Sequence, residues 1–188
     1  MTATIVLAAI LIIIVALILY FVTIYNGLVK VKNNVAKHLS NIDVSLKQRF
    51  DELPKLVLVC EQYMKHEAET LEKVIKARSV AAEAKTVKES GKADGMITEA
   101  LKSLFAVSEN YPELKADRRF GQLQARISEL ENEISDRREL YNAGVNIHNI
   151  RIAKIPDAFV ASPFGYRPLE LWQIDAAHRK DPGISFAS

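Results

Sequence analysis

A single cysteine, Cys60, stands in the 188 residues, so neither an intrachain disulfide framework nor a cysteine-based zinc ribbon can form. Glycine and proline are sparse, at 7 and 6, which excludes a collagen-like chain. The 49% hydrophobic residues exclude a disordered one. The formal charge of +2 is too small to mark a nucleic-acid binder. The chain has no phosphate-binding loop, dinucleotide fingerprint or Gly-x-Ser-x-Gly elbow. Charge itself is missing from one whole segment, because Met1 to Val29 holds no Asp, Glu, Lys, Arg or His.

What fills that segment is an uninterrupted apolar run from Ala3 to Tyr25, without proline or glycine. At 1.5 Å per residue it is about 34 Å long, enough to cross a hydrocarbon core of about 30 Å. A cleaved signal peptide would carry a basic start and a small-residue cleavage site. Here only Met1 and Thr2 precede the run, and Tyr20, Phe21 and Tyr25 close it. The run therefore predicts an uncleaved transmembrane anchor over residues 1–25, with those aromatics as an interfacial belt. Lys30, Lys32 and Lys37 follow before the first acid, Asp43. By the positive-inside rule the N-terminus lies outside and the bulk of the chain in the cytoplasm, with the lysines available to anionic lipid. One cysteine suits a reducing compartment.

From residue 26 to 156 the pattern is helical, and nothing reads as a strand. Leu28, Val31, Val35, Leu39, Ile42, Leu46, Phe50 and Leu53 recur at threes and fours, one stripe of a helix leaving the membrane. Asn26-Gly27 is expected to loosen this helix, and Pro54 to kink it or start another. A second helix is predicted from about Pro54 to Ala84, then a polar turn KADG between Gly91 and Gly95, then a third from about Met96 to Ser108. The fourth stripe is the clearest: Phe120, Leu123, Ile127, Leu130, Ile134, Tyr141, Val145, His148, Ile152 and Ile155, broken by the layer Arg137-Arg138. The second and fourth helices are expected to pair antiparallel. The fold class is all-α, an N-terminal transmembrane helix continuing into an elongated antiparallel bundle with long helices.

Residues 157–188 change character, with Pro163, Pro168 and Pro182 and the only tryptophan, Trp172. Phe159, Phe164, Tyr166 and Trp172 are too aromatic for a free tail. They are candidate assembly or partner contacts, packing on their own bundle, a second subunit, a partner or the membrane surface. The last dozen residues read as a loose polar end.

Candidate chemistry is thin. His66-Glu67 opens like a zincin motif, but the second histidine it needs falls on Thr70. The four histidines, His38, His66, His148 and His178, offer no pair at helical metal-ligand spacing. His148 reads as a core histidine satisfied by a neighbour, and Cys60, on a helical stripe, as an inert buried thiol. Glu129 to Asp136 interleave with arginines as an ion-pair face. Arg118, Arg119 and Arg126 have interleaved acids and no aromatic ladder, which argues against nucleic acid. No enzyme, no metal and no cofactor is expected.

Several blocks resemble, in order and at matching distances, the LemA family of bacterial membrane proteins. They are YNGLVKVKNNVAKHLSNIDVSLKQRFDELPKLV, the HE of KHEAETLEKVIKARS, LFAVSENYPELKADRRFGQLQARISELENEI and RRELYNAGV. The resemblance runs from about Tyr25 to Gly165, and the final DAAHRKDPGISFAS does not align. It implies one transmembrane helix, a cytoplasmic helical bundle and no established enzymatic activity. Among the matched polar residues, Asp43, Arg49, Arg78 and Asn142 read either as a partner surface or as buried ties fixing helix register, and the second is favoured. The expected role is a non-enzymatic scaffold that self-associates at the membrane. The alternative is an adaptor for another membrane protein, such as an envelope quality-control protease.

Overall fold

The uncharged run and the apolar stripe that follows it form a single helix, α1 (Thr2–Glu61). The structure is a computed structural model describing residues 2–173, so His178, Pro182 and the expected loose end lie outside the described residues. Five more helices follow: α2 (Ala68–Glu83), α3 (Val87–Ser108), α4 (Pro112–Ala116), α5 (Arg118–Ala153) and α6 (Asp157–Ala161). Among the described residues there is no strand, and the fold is all-α.

Neither expected interruption ends α1. A Cβ at Gly27 would stand 2.9 Å from the Arg151 guanidinium, so the glycine makes room for a neighbouring side chain instead of a break. At Pro54 the missing donor costs about 3 kcal/mol in a helix interior. Leu53 and Leu56 beside it are completely buried, each contributing about 1.5–3 kcal/mol, so burial outweighs the defect.

Two further expectations are corrected. The predicted second helix is really two pieces, the end of α1 and then α2, divided by a turn over residues 62–67. Met64 in that turn is as buried as its helical neighbours, so the apolar stripe continues where the helix does not. The expected KADG turn is helical and lies inside α3. Thr86 starts that helix with a capping box: its hydroxyl accepts from the Glu89 backbone N–H at 3.2 Å, while the Glu89 carboxylate accepts from the Thr86 N–H at 3.1 Å.

The chain divides into two compact units. Among the described residues, the first comprises residues 2–39 and 140–169. Here Gly27 of α1 neighbours Arg151 of α5, and Val35 of α1 neighbours Gly144, so the two helices run antiparallel. α5 thus pairs with α1; of the helix predicted over residues 54–84, the part that belongs to α1 shares a core with α5 in the second unit, while α2 packs against α3. Residues up to Val22 on α1 are exposed, and this is the one helix among the described residues long and apolar enough to cross a membrane. Ile24 is the first buried residue. With Leu28 it packs against Val160 and Ala161 of α6.

Among the described residues, the second unit comprises residues 40–139 and 170–173. Its core joins Leu53, Leu56 and Cys60 of α1 to Leu71 and Val74 of α2. Ile97, Leu101 and Leu104 of α3, Leu114 of α4 and Phe120 and Ile127 of α5 complete it. Of the fourth stripe, Phe120, Ile127, Leu130, Ile134, Tyr141, Val145 and His148 are buried as expected, whereas Ile155 is 68% exposed because α5 has ended at Ala153.

Candidate functional site

Three of the four aromatic residues singled out in the tail sit in the first unit, at the end of the apolar run. The Phe164 ring lies 4.8 Å from Tyr25 and 6.1 Å from Phe21, centroid to centroid. Tyr166 is half-buried, with the Lys32 ammonium 5.5 Å from its ring and the His148 ring 6.0 Å away. Burial pushes the Tyr166 phenol above its ordinary range. Phe159 points away from this packing and is 72% exposed, and Phe164 keeps 52% of its surface open.

The extended segment beyond α6 is strapped to α5. His148 Nε2 lies 3.1 Å from the Arg167 carbonyl, and His148 is buried, as its place in the stripe indicated. Asn149 accepts from the Leu169 N–H at 2.8 Å and donates to the Leu169 carbonyl at 3.0 Å. Arg151 donates to Asp157 at 2.5 Å and so ties α5 to the start of α6.

Trp172 is in the second unit and is buried against α3. A Cβ at Gly91 would come within 2.6 Å of the Gln173 carbonyl and 3.4 Å of the Trp172 indole nitrogen. Glycine at 91 is therefore a docking notch, and not the edge of a turn. The tail packs on its own chain through Val160, Ala161 and Trp172, while Phe159 and Phe164 remain substantially open.

Of the four polar residues expected to fix register, Arg49 is the one fully buried. It donates to the Asp94 carboxylate and to Thr98 Oγ1 at 3.3 Å, joining α1 to α3. The other Asp94 oxygen takes Arg138 of α5 at 3.0 Å. This is the polar layer that broke the fourth stripe. Desolvation lowers the Arg49 guanidinium from its ordinary range, and the Asp94 charge works against that shift. The other three residues do not join this layer. Asp43 is exposed at the edge of a cleft of about 400 Å³ lined also by Lys47, Phe50 and Ile97, and desolvation raises its carboxyl. The Arg78 guanidinium lies 4.2 Å above the Phe50 ring. Asn142 is half-buried on α5 in the first unit.

The residues around the 62–67 turn have structural partners. Tyr111 donates to Glu67 at 3.0 Å, and Tyr63 donates to Asp117 at 3.0 Å. Arg119 grips the same Asp117 with its side chain at 2.7 Å and its backbone N–H at 2.7 Å, holding that carboxyl well below the usual range. Glu67, the acid of the truncated zincin pattern, is a hydrogen-bond acceptor for a tyrosine, and His66 is exposed. Among the described residues no group of three or more His, Cys, Asp or Glu side chains could hold a metal ion.

Sequence reasoning passed over Asp94, because it assigned residues 91–95 to a turn. The Thr-x-x-Glu of Thr86 to Glu89 signals a helix start and would have placed Asp94 on α3. It also passed over Asn149, whose partner is a backbone segment with no periodicity to mark it.

Two curated relatives show what the chain is similar to. It is 36% identical to magnetosome protein MamQ 2 of Paramagnetospirillum magneticum over 81 residues, which is 43% of this chain and 30% of that protein. It is 29% identical to magnetosome protein MamQ of Magnetospirillum gryphiswaldense over 91 residues, 48% of this chain and 32% of that protein. The matched region thus spans about a third of the length of these relatives. The family model described as the LemA family matches residues 38–186. That match starts later than the resemblance in the sequence and extends into the final residues, which the resemblance does not cover. With most of its length matched, the chain belongs to the LemA family.

Proposed function

We propose that this protein is a non-enzymatic helical scaffold, held by α1 in a bacterial inner membrane with its N-terminus outside, and that copies of it associate side by side. The observation that carries the reading is a second stripe on α5, opposite the buried one. Leu140, Ala143, Ile147 and Ile150 are all exposed, and their 3-4-3 spacing is that of a coiled-coil seam. Leu140, Ile147 and Ile150 are each more than half exposed. Such a patch is costly to leave in water, and a second copy offers a matching seam. The apolar run of α1 and the family membership support membrane attachment. The cleft beside Asp43 is lined largely by alanine and apolar side chains, a poor setting for acid–base chemistry.

The test is the native mass of the full-length protein, gently extracted from its own membrane without crosslinker. A discrete homo-oligomer, reduced to monomer by Ile147→Glu together with Ile150→Glu, is the expected result. A monomer carrying one additional membrane protein would replace the scaffold with an adaptor.

A further inference from the structure

We propose that α6 and the turn after it form a second membrane contact, an aromatic foot whose Phe159 and Phe164 side chains enter the headgroup layer beside the anchor. The inference rests on the reading of Ala3 to Tyr25 as a membrane span and adds a contact that reading does not contain. Given that span, the depth of the foot is fixed by packing. Val160 and Ala161 of α6 are buried against Ile24 and Leu28, the last turn of the apolar run and the turn beyond it. The Phe164 ring sits against both Phe21 and Tyr25, which are about 6 Å apart along the helix axis at 1.5 Å per residue. A ring that touches the closing turn of the span stands at the boundary between acyl chains and headgroups, the level at which aromatic side chains concentrate.

The exposed chemistry suits that level. Phe159 is 72%, Ile155 68% and Phe164 52% exposed, three large apolar side chains left open within ten residues of chain. The same unit carries the exposed bases Lys30, Lys32, Lys154 and Arg167. Apolar side chains flanked by bases are the composition of an interfacial segment on an anionic lipid surface. The contrast with Trp172 is informative: the tail aromatic in the other unit is buried by protein, while those at the end of the span are left open.

The experiment uses full-length protein carrying Cys60→Ala, reconstituted into vesicles of phosphatidylcholine and phosphatidylglycerol. Single spin labels go at Ser162→Cys, between the two phenylalanines and itself exposed, at Val15→Cys in the apolar run, and at Asn132→Cys as an aqueous reference. Power saturation then compares access by oxygen with access by a water-soluble nickel complex. The expected result is nickel access at 162 several-fold below that at 132, with oxygen favoured. Phe159→Ser with Phe164→Ser should restore it to the level of 132. An aqueous label at 162 with a bilayer-embedded label at 15 would overturn the foot and leave the anchor standing. An aqueous label at 15 would overturn the anchor, and the foot with it. Protection at 162 from both reagents, with dipolar broadening that disappears on dilution with unlabelled protein, would assign the patch to a second copy and overturn the lipid contact.

Discussion

Asn149 and Leu169 are paired through both halves of an amide: the Asn149 side chain donates to the Leu169 carbonyl and accepts from its N–H, as a neighbouring strand would. A helix has no free backbone groups with which to hold an extended segment, so one carboxamide supplies both. Asn149→Ala is expected to leave these two backbone groups to water and to loosen the strap by about 1–3 kcal/mol, from two hydrogen bonds of about 0.5–1.5 kcal/mol each. Amide exchange at Leu169 measures this directly, and unchanged protection would contradict it.

The polar layer of the second unit makes the larger demand. Asp94→Ala strands the buried Arg49 and leaves Arg138 without this carboxylate, and loss of one partner from a buried ion pair costs about 3–5 kcal/mol. Chemical denaturation of the purified protein should show that loss. Arg49→Met combined with Asp94→Leu should recover the part of it that comes from the stranded Arg49, while Arg138 still lacks this carboxylate.

Acid should weaken the turn at residues 62–67 through Asp117. Its carboxyl is depressed by Arg119, so its contribution is fully present above the ordinary value of 3.8 and is lost as pH falls below that toward its folded value. Stability measured downward from pH about 6 should therefore drop more steeply in the parent than in Asp117→Asn. Parallel curves would exclude the role.

Cys60 is fully buried in the core of the second unit, and desolvation pushes its thiol up to about 12. A maleimide reagent should leave it untouched in the folded protein and modify it at the rate at which the core opens. Rapid labelling under native conditions would show that α1 separates from its neighbours far more often than a packed core allows.

The sequence reveals individual helices better than it reveals their boundaries or partners. α5 was legible because its buried residues keep helical spacing from Phe120 to His148. The break at residues 62–67 was hidden because Met64 is buried in the turn, and a hydrophobic stripe records burial whether or not the backbone is helical. The pairing of α5 with α1 was not readable, since both stripes are apolar and nothing local says which faces which. Arg49 could be singled out as a polar residue facing a seam, but its partner could not. Asp94 belongs to a helix carrying two glycines, and its meaning appears only when three helices meet. The tail divided in a way composition does not distinguish: four aromatic residues were grouped together, and packing buries Trp172 while exposing Phe159.

The meeting of Phe164 with Tyr25 also sets an order in time. Tyr25 is made well before Phe164, so the 138 residues between them must be synthesised before the two rings can touch. Contacts between residues so far apart close last and slowly, while local helix pairs such as α2 with α3 can form as the chain emerges. Until that closure, Ile24 and Leu28 lack their α6 cover and present an apolar face around the end of the apolar run. During its own synthesis the protein therefore passes through a form with uncovered apolar surface at the end of the apolar run.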